Sequence, residues 1–234
     1  MRTKTLAVLL ILAAIFLANI SSPLTARAAE PTSTVLAKGT IAKLPDGDFI
    51  FRVVDLKLAP GDNAVSHKHG AGMLYAIDGP NELTVDNKTT TLNPGQAAWI
   101  DDQVQHTHAS DGKTEIHFLF MYLWPGAKKG APMAPGFREA SVAFESTPLT
   151  FNNRNGQDVE LSDTIFETAQ AIDIKPINGP RMLNIQEGTF AVEIGKVSLT
   201  MQKGDYLSVP PDTAIHIVSK LAGHALILSV IPTS

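Results

Sequence analysis

The sequence predicts an all-β fold made of two tandem β-barrels of the jelly-roll type. Short runs of β-branched and aromatic residues are separated by turns rich in Pro, Gly and Asn, which is typical of barrels and double-sheet folds. The chain also repeats itself at an offset of 109 residues, because Gly79 and Gly95 recur as Gly188 and Gly204. A single repeat of this length indicates a duplicated domain and not a solenoid of short units.

Three segments carry the clearest strand patterns. Residues 49–58 alternate between apolar and polar side chains in their second half, and residues 115–124 and 225–231 are apolar runs rich in residues that favour strands. One segment, residues 163–171, is predicted to form a short helix, with Ser162 as its N-cap.

The first 28 residues have the features of a secretory signal peptide. Arg2 and Lys4 give a positive start, residues 6–20 form an apolar run, and residues 26–28 provide a small-x-small cleavage signal. The apolar run is short for a membrane-spanning helix. We therefore expect cleavage after Ala28 and an exported protein, periplasmic or extracellular, with no stable membrane anchor after cleavage.

The rest of the chain divides into three parts. We predict an N-terminal barrel at residues 29–130, a linker at residues 131–145 and a C-terminal barrel at residues 146–234. The connection that starts at Pro125 and runs to Glu145 contains three prolines and three glycines, which disfavour regular structure.

Composition excludes several classes of function. The net charge is −4, and it changes to −7 when Arg2, Lys4 and Arg27 are removed with the first 28 residues, so nucleic acid and anionic membranes are not expected partners. The adjacent Lys128 and Lys129 are predicted to lie in a solvated loop. The absence of cysteine excludes disulfides, thiolate metal ligands and a cysteine nucleophile.

Five of the seven histidines lie between residues 67 and 117. His67 and His69 are two residues apart, so on a β-strand both would face one side while Lys68 faces the other. His106 follows a Pro-Gly turn and brings a third imidazole. This pattern indicates a metal site inside the N-terminal barrel.

The spacing of these residues resembles the two motifs of the cupin superfamily. The positions in register are Gly61, His67, His69 and Gly79 in the motif G-x5-H-x-H-x3,4-E-x6-G, and Gly95 and His106 in the motif G-x5-P-x-G-x2-H-x3-N. The resemblance implies double-sheet barrels with a ligand cavity inside. It also implies His67, His69 and His106 as metal ligands.

The chain departs from the family pattern at the carboxylate ligand. The family's glutamate would fall at Met73 or Leu74, neither of which can bind a metal as a carboxylate does. Three neutral imidazoles suit one divalent transition metal, and Fe, Mn, Ni, Cu and Zn all remain candidates. The resemblance implies more, because within cupins three-histidine sites without the glutamate occur in iron dioxygenases that act on thiols, diketones and aromatic diols.

The role of His108 is open at this point. It would serve as a fourth ligand in place of the glutamate, as a catalytic acid or base beside the metal, or as a solvent-facing residue at the barrel rim. We take His108 as the candidate catalytic residue. For His117, the pattern of its strand favours core packing or a place in the cavity wall.

Other residues near the two motifs are weaker candidates. Gln105 and Asp101 would orient His106 or a water molecule, or would simply be polar loop residues. Met73, Tyr75 and Trp99 are candidates for lining the cavity, although aromatic residues in a barrel commonly belong to the core.

The second copy of the repeat lacks the metal motif. At the offset of 109, His67 corresponds to Pro176 and His69 to Asn178, so His216 is left without partner imidazoles. We expect His216 to be a core or rim histidine. The C-terminal barrel is then either structural or a second small-molecule pocket.

The sequence is compatible with two main functions. The first is a metal-dependent enzyme, most simply a dioxygenase, that acts on a small molecule at open metal positions. The second is a non-enzymatic module that binds or senses a small ligand or a metal, and a purely structural domain is a third alternative. The expected partner is a small-molecule ligand, and the sequence allows a homodimer as well as a monomer.

Overall fold

The computed structural model describes residues 29–44, 46–133, 139–150 and 154–233. These ranges contain fifteen β-strands and a single 3-10 turn at Gly126–Lys128, which confirms the all-β prediction. No helix in these ranges has the length and apolar character that a membrane span requires. The predicted signal peptide lies outside the described residues, and its cleavage stays a prediction.

The strands are numbered in chain order. They are β1 (Thr32–Lys43), β2 (Phe49–Leu58), β3 (Gly72–Asp78), β4 (Asn81–Val85), β5 (Lys88–Leu92), β6 (Ala97–Ile100), β7 (His106–Ser110), β8 (Ile116–Pro125), β9 (Glu139–Glu145), β10 (Asn155–Phe166), β11 (Ala171–Ile174), β12 (Arg181–Ile194), β13 (Val197–Gln202), β14 (Tyr206–Val209) and β15 (Ile215–Pro232).

The N-terminal barrel consists of two facing antiparallel sheets. One has the strand order β6-β3-β8-β2-β9 and the other the order β5-β4-β7. Apolar side chains fill part of the space between them, including Leu56 and Phe118 from the larger sheet and Leu83 from the smaller. Asp86 and Asn87 join β4 to β5 in a two-residue turn, and both have the positive φ angles that such a turn requires.

The C-terminal barrel is one strongly bent sheet. Its strand order is β1-β10-β15-β12-β13, with β11 on β15 and β14 on β12. The long strands β12 and β15 change register near Gly188 and Gly223, where the two backbones approach too closely for a side chain. A Cβ at Gly223 would lie 2.1 Å from the carbonyl oxygen of Glu187. The bend closes the sheet around an apolar interior that contains Phe166, Phe190 and Ile217.

A third apolar cluster joins the two barrels, and we call it the inter-barrel core. It combines the faces of β2, β3 and β8 that point away from the first barrel's interior with side chains of β10, β12 and β15. Its buried members include Phe51, Met121, Leu161, Met182 and Leu228. The central strands β2, β3 and β8 of the larger sheet are therefore buried on both faces, which explains their nearly continuous apolar sequences.

The first strand of each repeat pairs with the other barrel. Strand β1 lies beside β10 of the C-terminal barrel, from Thr32 opposite Ile165 to Lys43 opposite Asn155. Strand β9 lies beside β2 of the N-terminal barrel. The predicted linker at residues 131–145 is therefore wrong as an irregular segment over residues 139–145, because the free edge of β2 supplies a hydrogen-bonding partner that local composition does not reveal. The boundaries of the two domains stay a prediction.

The short helix predicted at residues 163–171 is also wrong. Strand β10 continues through Phe166, and residues 167–170 form a turn before β11. The segment is hydrogen-bonded on both sides, to β1 and to β15, so strand pairing replaces the local helical preference of the sequence.

The internal repeat extends to individual hydrogen bonds. The N–H of Gly95 donates to the carbonyl of Ala76 at 2.9 Å, and the N–H of Gly204 donates to the carbonyl of Ile185 at 2.9 Å, both at the offset of 109. Gly95 and Gly204 adopt φ angles of +83° and +88°. The repeated glycines therefore mark one turn, built twice, that needs a left-handed backbone conformation.

A substitution at Gly39 tests how closely β1 packs on the N-terminal barrel. The position of Gly39 faces the indole of Trp99 on β6, and a Cβ there would lie 1.9 Å from the Trp99 ring. We expect Gly39→Ala to lower the free energy of unfolding by about 1–3 kcal/mol, because β1 or Trp99 must move to relieve overpacking. The measurement is urea unfolding followed by circular dichroism.

Gly70→Ala is the matched control for this prediction. Gly70 also lacks a positive φ, and the nearest neighbour of an added Cβ is Asp102 Oδ1 at 4.0 Å. Equal stability of the Gly39→Ala and wild-type proteins would contradict the close packing of β1 on β6.

Candidate metal centre

Four histidines converge inside the N-terminal barrel. His67 and His69 belong to an irregular segment between β2 and β3, and only His67 forms a bridge to a strand. The N–H of His67 donates to the carbonyl of His106 at 3.1 Å, and the N–H of His106 donates back at 3.0 Å. Because this segment is not a regular strand, Lys68 lines the same cavity as His67 and His69, and the expectation that it faces away is wrong.

His106 and His108 occupy β7, which pairs with β4. Their spacing of two residues places both imidazoles on the inner face of this strand. The exposed fractions are 1% for His106 and 2% for His108. The reading of His108 as a solvent-facing residue is therefore wrong, and its place beside His106 leaves the roles of ligand and of acid or base.

The imidazole rings form one compact group centred on His106. Its ring centroid lies 4.3 Å from that of His67, 4.6 Å from that of His69 and 5.3 Å from that of His108. One candidate ligand atom from each of His67, His106 and His108 lies within 4.8 Å of the other two. Nitrogen ligands stand about 2 Å from a bound metal such as zinc, so small side-chain rotations would bring these donors around one ion.

Backbone carbonyls fix the tautomer of three of these histidines. The Nδ1 to carbonyl distances are 2.9 Å for His67 to Val65, 2.8 Å for His69 to Gly70, and 2.9 Å for His106 to Val104. A carbonyl oxygen only accepts, so Nδ1 carries the proton in each neutral ring and the lone pair is on Nε2. This is the arrangement by which outer hydrogen bonds orient metal-binding imidazoles.

Burial keeps the four imidazoles neutral. It lowers the pKa of His69 to about 4, with smaller contributions from the neighbouring His106 and His67. Burial also lowers the pKa of His67 and His106, and it lowers that of His108 well below the ordinary value. Neutral imidazole is the form that binds metals, so at neutral pH no proton has to be removed from these rings before a metal can bind.

One buried nitrogen provides a test of whether these residues fit a metal. His106 Nε2 is buried and has no hydrogen-bond partner in the described ranges. An orphaned buried polar atom costs free energy, on the order of 1–3 kcal/mol, unless something binds it. A metal ion at this nitrogen would remove that cost, and the all-imidazole donor set suits a divalent transition metal.

In the described part of the chain, no carboxylate takes the place of the family's glutamate in this cluster. Met73 and Leu74 lie on β3, where Met73 is buried in the inter-barrel core and Leu74 lines the cavity. Among the residues described, none that lines the cavity is Asp or Glu. A polar side chain does contact the cluster: the side-chain amide of Asn81 lies 3.4 Å from Nδ1 of His108.

A cavity of about 690 Å³ opens beside the histidines. Four aromatic side chains at alternate positions of β8 form one wall, namely Phe118, Phe120, Tyr122 and Trp124. Phe118 lies 4.7 Å from the ring of His108, and Phe120 lies 3.9 Å from that of His69. The volume and the aromatic wall suit a small organic molecule.

Three residues predicted as candidates for the cavity wall or core belong to the core. Met73 and Tyr75 are buried in the inter-barrel core, and Trp99 packs against it. In β3 the pleat turns Leu74 toward the cavity, so its neighbours Met73 and Tyr75 face the other way. Burial raises the pKa of Tyr75 to about 12, with a further contribution from Asp163 of the second barrel.

The polar candidates near the second motif bind elsewhere. Gln105 Nε2 donates to Ser66 Oγ at 2.9 Å, and Asp101 Oδ1 accepts a hydrogen bond from Trp99 Nε1 at 2.6 Å. Neither of these hydrogen bonds involves the His106 ring. Both residues fix loops next to the cluster, which agrees with the plainer of the two interpretations of the sequence.

His117 and His216 lie outside the cluster, each next to an aspartate. His117 Nε2 is 2.8 Å from Asp55 Oδ1. His117 lies on the face of β8 opposite Phe118 and does not line the cavity, so the prediction that it belongs to the cavity wall is wrong. His216 Nδ1 is 2.7 Å from Asp173 Oδ1 at the surface of the second barrel. The side chain of His216 is 40% exposed, as expected for a rim histidine without ligand partners.

Sequence reasoning did not single out two groups in the cavity. Arg52 is an arginine within the apolar strand β2, and it lines the cavity with Lys128. The aromatic wall follows a period of two along residues 118–124, a signal that the sequence contains. The isolated arginine was the other available signal, because a charge within a buried strand requires a partner or a function.

Residues 54–122 match the family described as Cupin domain. No curated protein matches the chain in sequence.

Solved structures resemble the fold at low sequence identity. Salicylate 1,2-dioxygenase from Pseudaminobacter salicylatoxidans is 10% identical, with a TM-score of 0.52 over 76% of this chain and 70% of that one. YhaK from Escherichia coli is 14% identical, with a TM-score of 0.57 over 84% of this chain and 94% of that one. AerE from Microcystis aeruginosa is 14% identical, with a TM-score of 0.54 over 84% and 98%.

These likenesses concern the fold alone, because all identities are low. Together with the family match, which includes His67, His69, His106 and His108, they agree with the motif spacing and the double-sheet barrel. The chain therefore contains a cupin domain at residues 54–122.

Proposed function

We propose that the N-terminal barrel binds one divalent transition metal and acts on a small organic molecule in the adjoining cavity. The observation that carries this proposal is the buried, unpartnered Nε2 of His106 at the centre of four neutral imidazoles. His67, His69 and His106 are the ligands that the motif predicts. The burial of His108 beside His106 supports it as a fourth ligand in place of the missing carboxylate.

An all-imidazole site would leave the ion with its full positive charge. Such an ion polarises bound oxygen atoms and activates small molecules at its open positions. Fe, Mn, Ni, Cu and Zn all accept imidazole, so the donor set does not select among them.

The reaction class that we propose is oxidative cleavage with O2, as in a dioxygenase. Two observations support it: the histidine set without a carboxylate ligand, and an aromatic wall against which a planar substrate would stack. The structural neighbour named salicylate 1,2-dioxygenase has also been solved as adducts with gentisate, so a related fold accepts an aromatic acid.

A non-enzymatic binding module is the second candidate. The residues that line the cavity, as far as the chain is described, include no Asp or Glu to serve as a general base. The interior of the second barrel is filled by apolar side chains such as Phe190 and Ile217. These features suit a protein that carries or senses a ligand without converting it.

Metal content tests the site. We expect close to one transition metal per chain in the purified protein. A His67→Ala/His106→Ala double variant should lose that metal, because each substitution removes a central ligand. The measurement is elemental analysis of metal per chain after gel filtration.

His216→Ala is the matched control for metal content, since it removes a surface histidine of the second repeat. A His108→Ala variant that retains full metal content and affinity would remove His108 from the ligand set. Unchanged metal content in the double variant would contradict the proposed centre.

The metal should dissociate only at a pH well below the ordinary pKa of histidine. Protonation competes with metal binding, and burial lowers the pKa of His69 to about 4. We therefore expect the metal to remain bound at about pH 5.5, below the ordinary histidine pKa of about 6.5, and to be released as the pH approaches about 4. Equilibrium dialysis across this range measures the release, and a midpoint near the ordinary value would contradict the desolvated cluster.

Oxygen uptake separates the two candidate functions. With the metal restored, an enzyme should consume O2 in the presence of an aromatic diol, a diketone or a thiol, and His106→Ala should reduce the rate by at least about a hundredfold, since loss of a metal ligand removes the centre. Saturable thermal stabilisation by such a ligand without oxygen uptake would identify a binding module. His216→Ala again serves as the control.

A further inference from the structure

We propose that the cavity selects an anion, specifically a small aromatic carboxylate, whose acid group lies at a cationic end formed by Arg52, Lys128 and Trp124. The reacting part of the ligand would then point toward the histidines. This assignment of the reacting end rests on the proposed function, whereas the anion preference does not depend on a metal.

The charges that line the cavity have one sign. Arg52, Lys68 and Lys128 contribute cations, and the described lining residues contribute no carboxylate. The whole chain has a net charge of −4, so the cavity is opposite in sign to the protein that contains it. Low-dielectric walls strengthen the potential of such a group of charges, which favours anions over neutral ligands of equal size.

Arg52 is a buried cation with donors in two directions. Its exposed fraction is 2%. Its Nη2 donates to the carbonyl of Ala131 at 2.6 Å, and its Nη1 lies 3.2 Å from Glu145 Oε1 on β9. Its Nε has no hydrogen-bond partner within the described ranges. Arg52 therefore holds β9 and the loop before it, while one of its donors stays unsatisfied.

Arg52 and Lys128 both contact the ring of Trp124. The guanidinium carbon of Arg52 lies 5.4 Å from the centre of the Trp124 ring, and Nζ of Lys128 lies 5.2 Å from it. Trp124 Nε1 also donates to the carbonyl of Lys128 at 3.1 Å, which fixes the loop that presents this lysine. Glu145 offsets only the charge of Arg52, and the Lys128 ammonium remains at the cavity for an anion.

The two ends are separated by the length of a small aromatic acid. Arg52 pairs with Tyr122 in the sheet, and Tyr122 stands two residues from Phe120, whose ring contacts His69. Two residues of a β-strand span about 7 Å. A ring stacked on the aromatic wall would thus extend from the cationic end to the histidines. Burial raises the pKa of Tyr122, so its phenol stays protonated between the two ends.

The test compares a carboxylate with its neutral isostere. Isothermal titration calorimetry of the metal-free protein with benzoate and with benzamide isolates the acid group, because the two probes share one ring and one shape. We expect benzoate to bind at least about tenfold more tightly, since a charge-assisted contact contributes about 1.4 kcal/mol or more.

Matched lysine variants locate the anion site. Lys128→Met should reduce benzoate affinity by about three- to tenfold and leave benzamide affinity unchanged, since the lost charge acts only on the acid. Lys129→Met makes the same change in net charge next to it. The side chain of Lys129 donates instead to the carbonyl of Ser146, and Lys129 does not line the cavity, so this variant should bind benzoate like the wild type. Both variants avoid the buried Arg52, whose replacement would disturb β9.

Several outcomes would overturn the proposal: equal affinity for the two probes, no benzoate binding at millimolar concentration, or equal losses in both lysine variants. The His67→Ala/His106→Ala variant keeps the two proposals apart. If it lacks metal but still prefers benzoate, the anion site stands independently of the metal. If the wild type binds metal but shows no preference for benzoate, the metal proposal stands and the anion proposal fails.

Discussion

The burial of one sheet on both of its faces is the constraint on which the rest of the structure depends. Strands β2, β3 and β8 pack against the second barrel on one side and enclose the cavity on the other. Because successive side chains of a strand point to opposite faces, these strands divide most of their buried side chains between the inter-barrel core and the interior of the first barrel. Leu119 and Met121 join the core, while Phe118 and Phe120 contact the histidines.

This constraint explains which features were predictable from sequence. The motif spacing predicts His67, His69 and His106 as one ligand set, which stays a prediction. The structure places ligand atoms of His67 and His106 near that of His108, and the ring of His69 lies 4.6 Å from that of His106. For β3 the alternation of faces along the strand does not show which side chains face the cavity, because its residues are apolar on both faces. The sequence therefore could not assign Met73 and Tyr75 to the cavity or to the core. The role of residues 139–145 was hidden for another reason: their partner, β2, is distant in sequence, and the neighbouring prolines and glycines dominate the local pattern.

The two copies of the repeat keep the same turns and differ in what they enclose. The hydrogen bond of Gly95 to Ala76 recurs as that of Gly204 to Ile185, so the backbone plan is retained. In the first copy, Gly79 and Pro80 divide β3 from β4, whereas β12 of the second copy passes through Gly188 unbroken. The first copy leaves a cavity next to imidazoles, and the second fills its interior with apolar side chains. The two copies therefore share a backbone plan and differ in the contents of their interiors.

The reciprocal placement of β1 and β9 has a consequence for biosynthesis. During translation the N-terminal barrel emerges first, but the edge of β2 stays unpaired until β9 at Glu139–Glu145 has left the ribosome. Strand β1 must wait longer still, for β10. An exposed strand edge is a template for pairing with other chains, so the half-made protein carries two such edges. The sheet beside the histidine cluster is therefore completed only when β9, the first strand of the second half, has been synthesised.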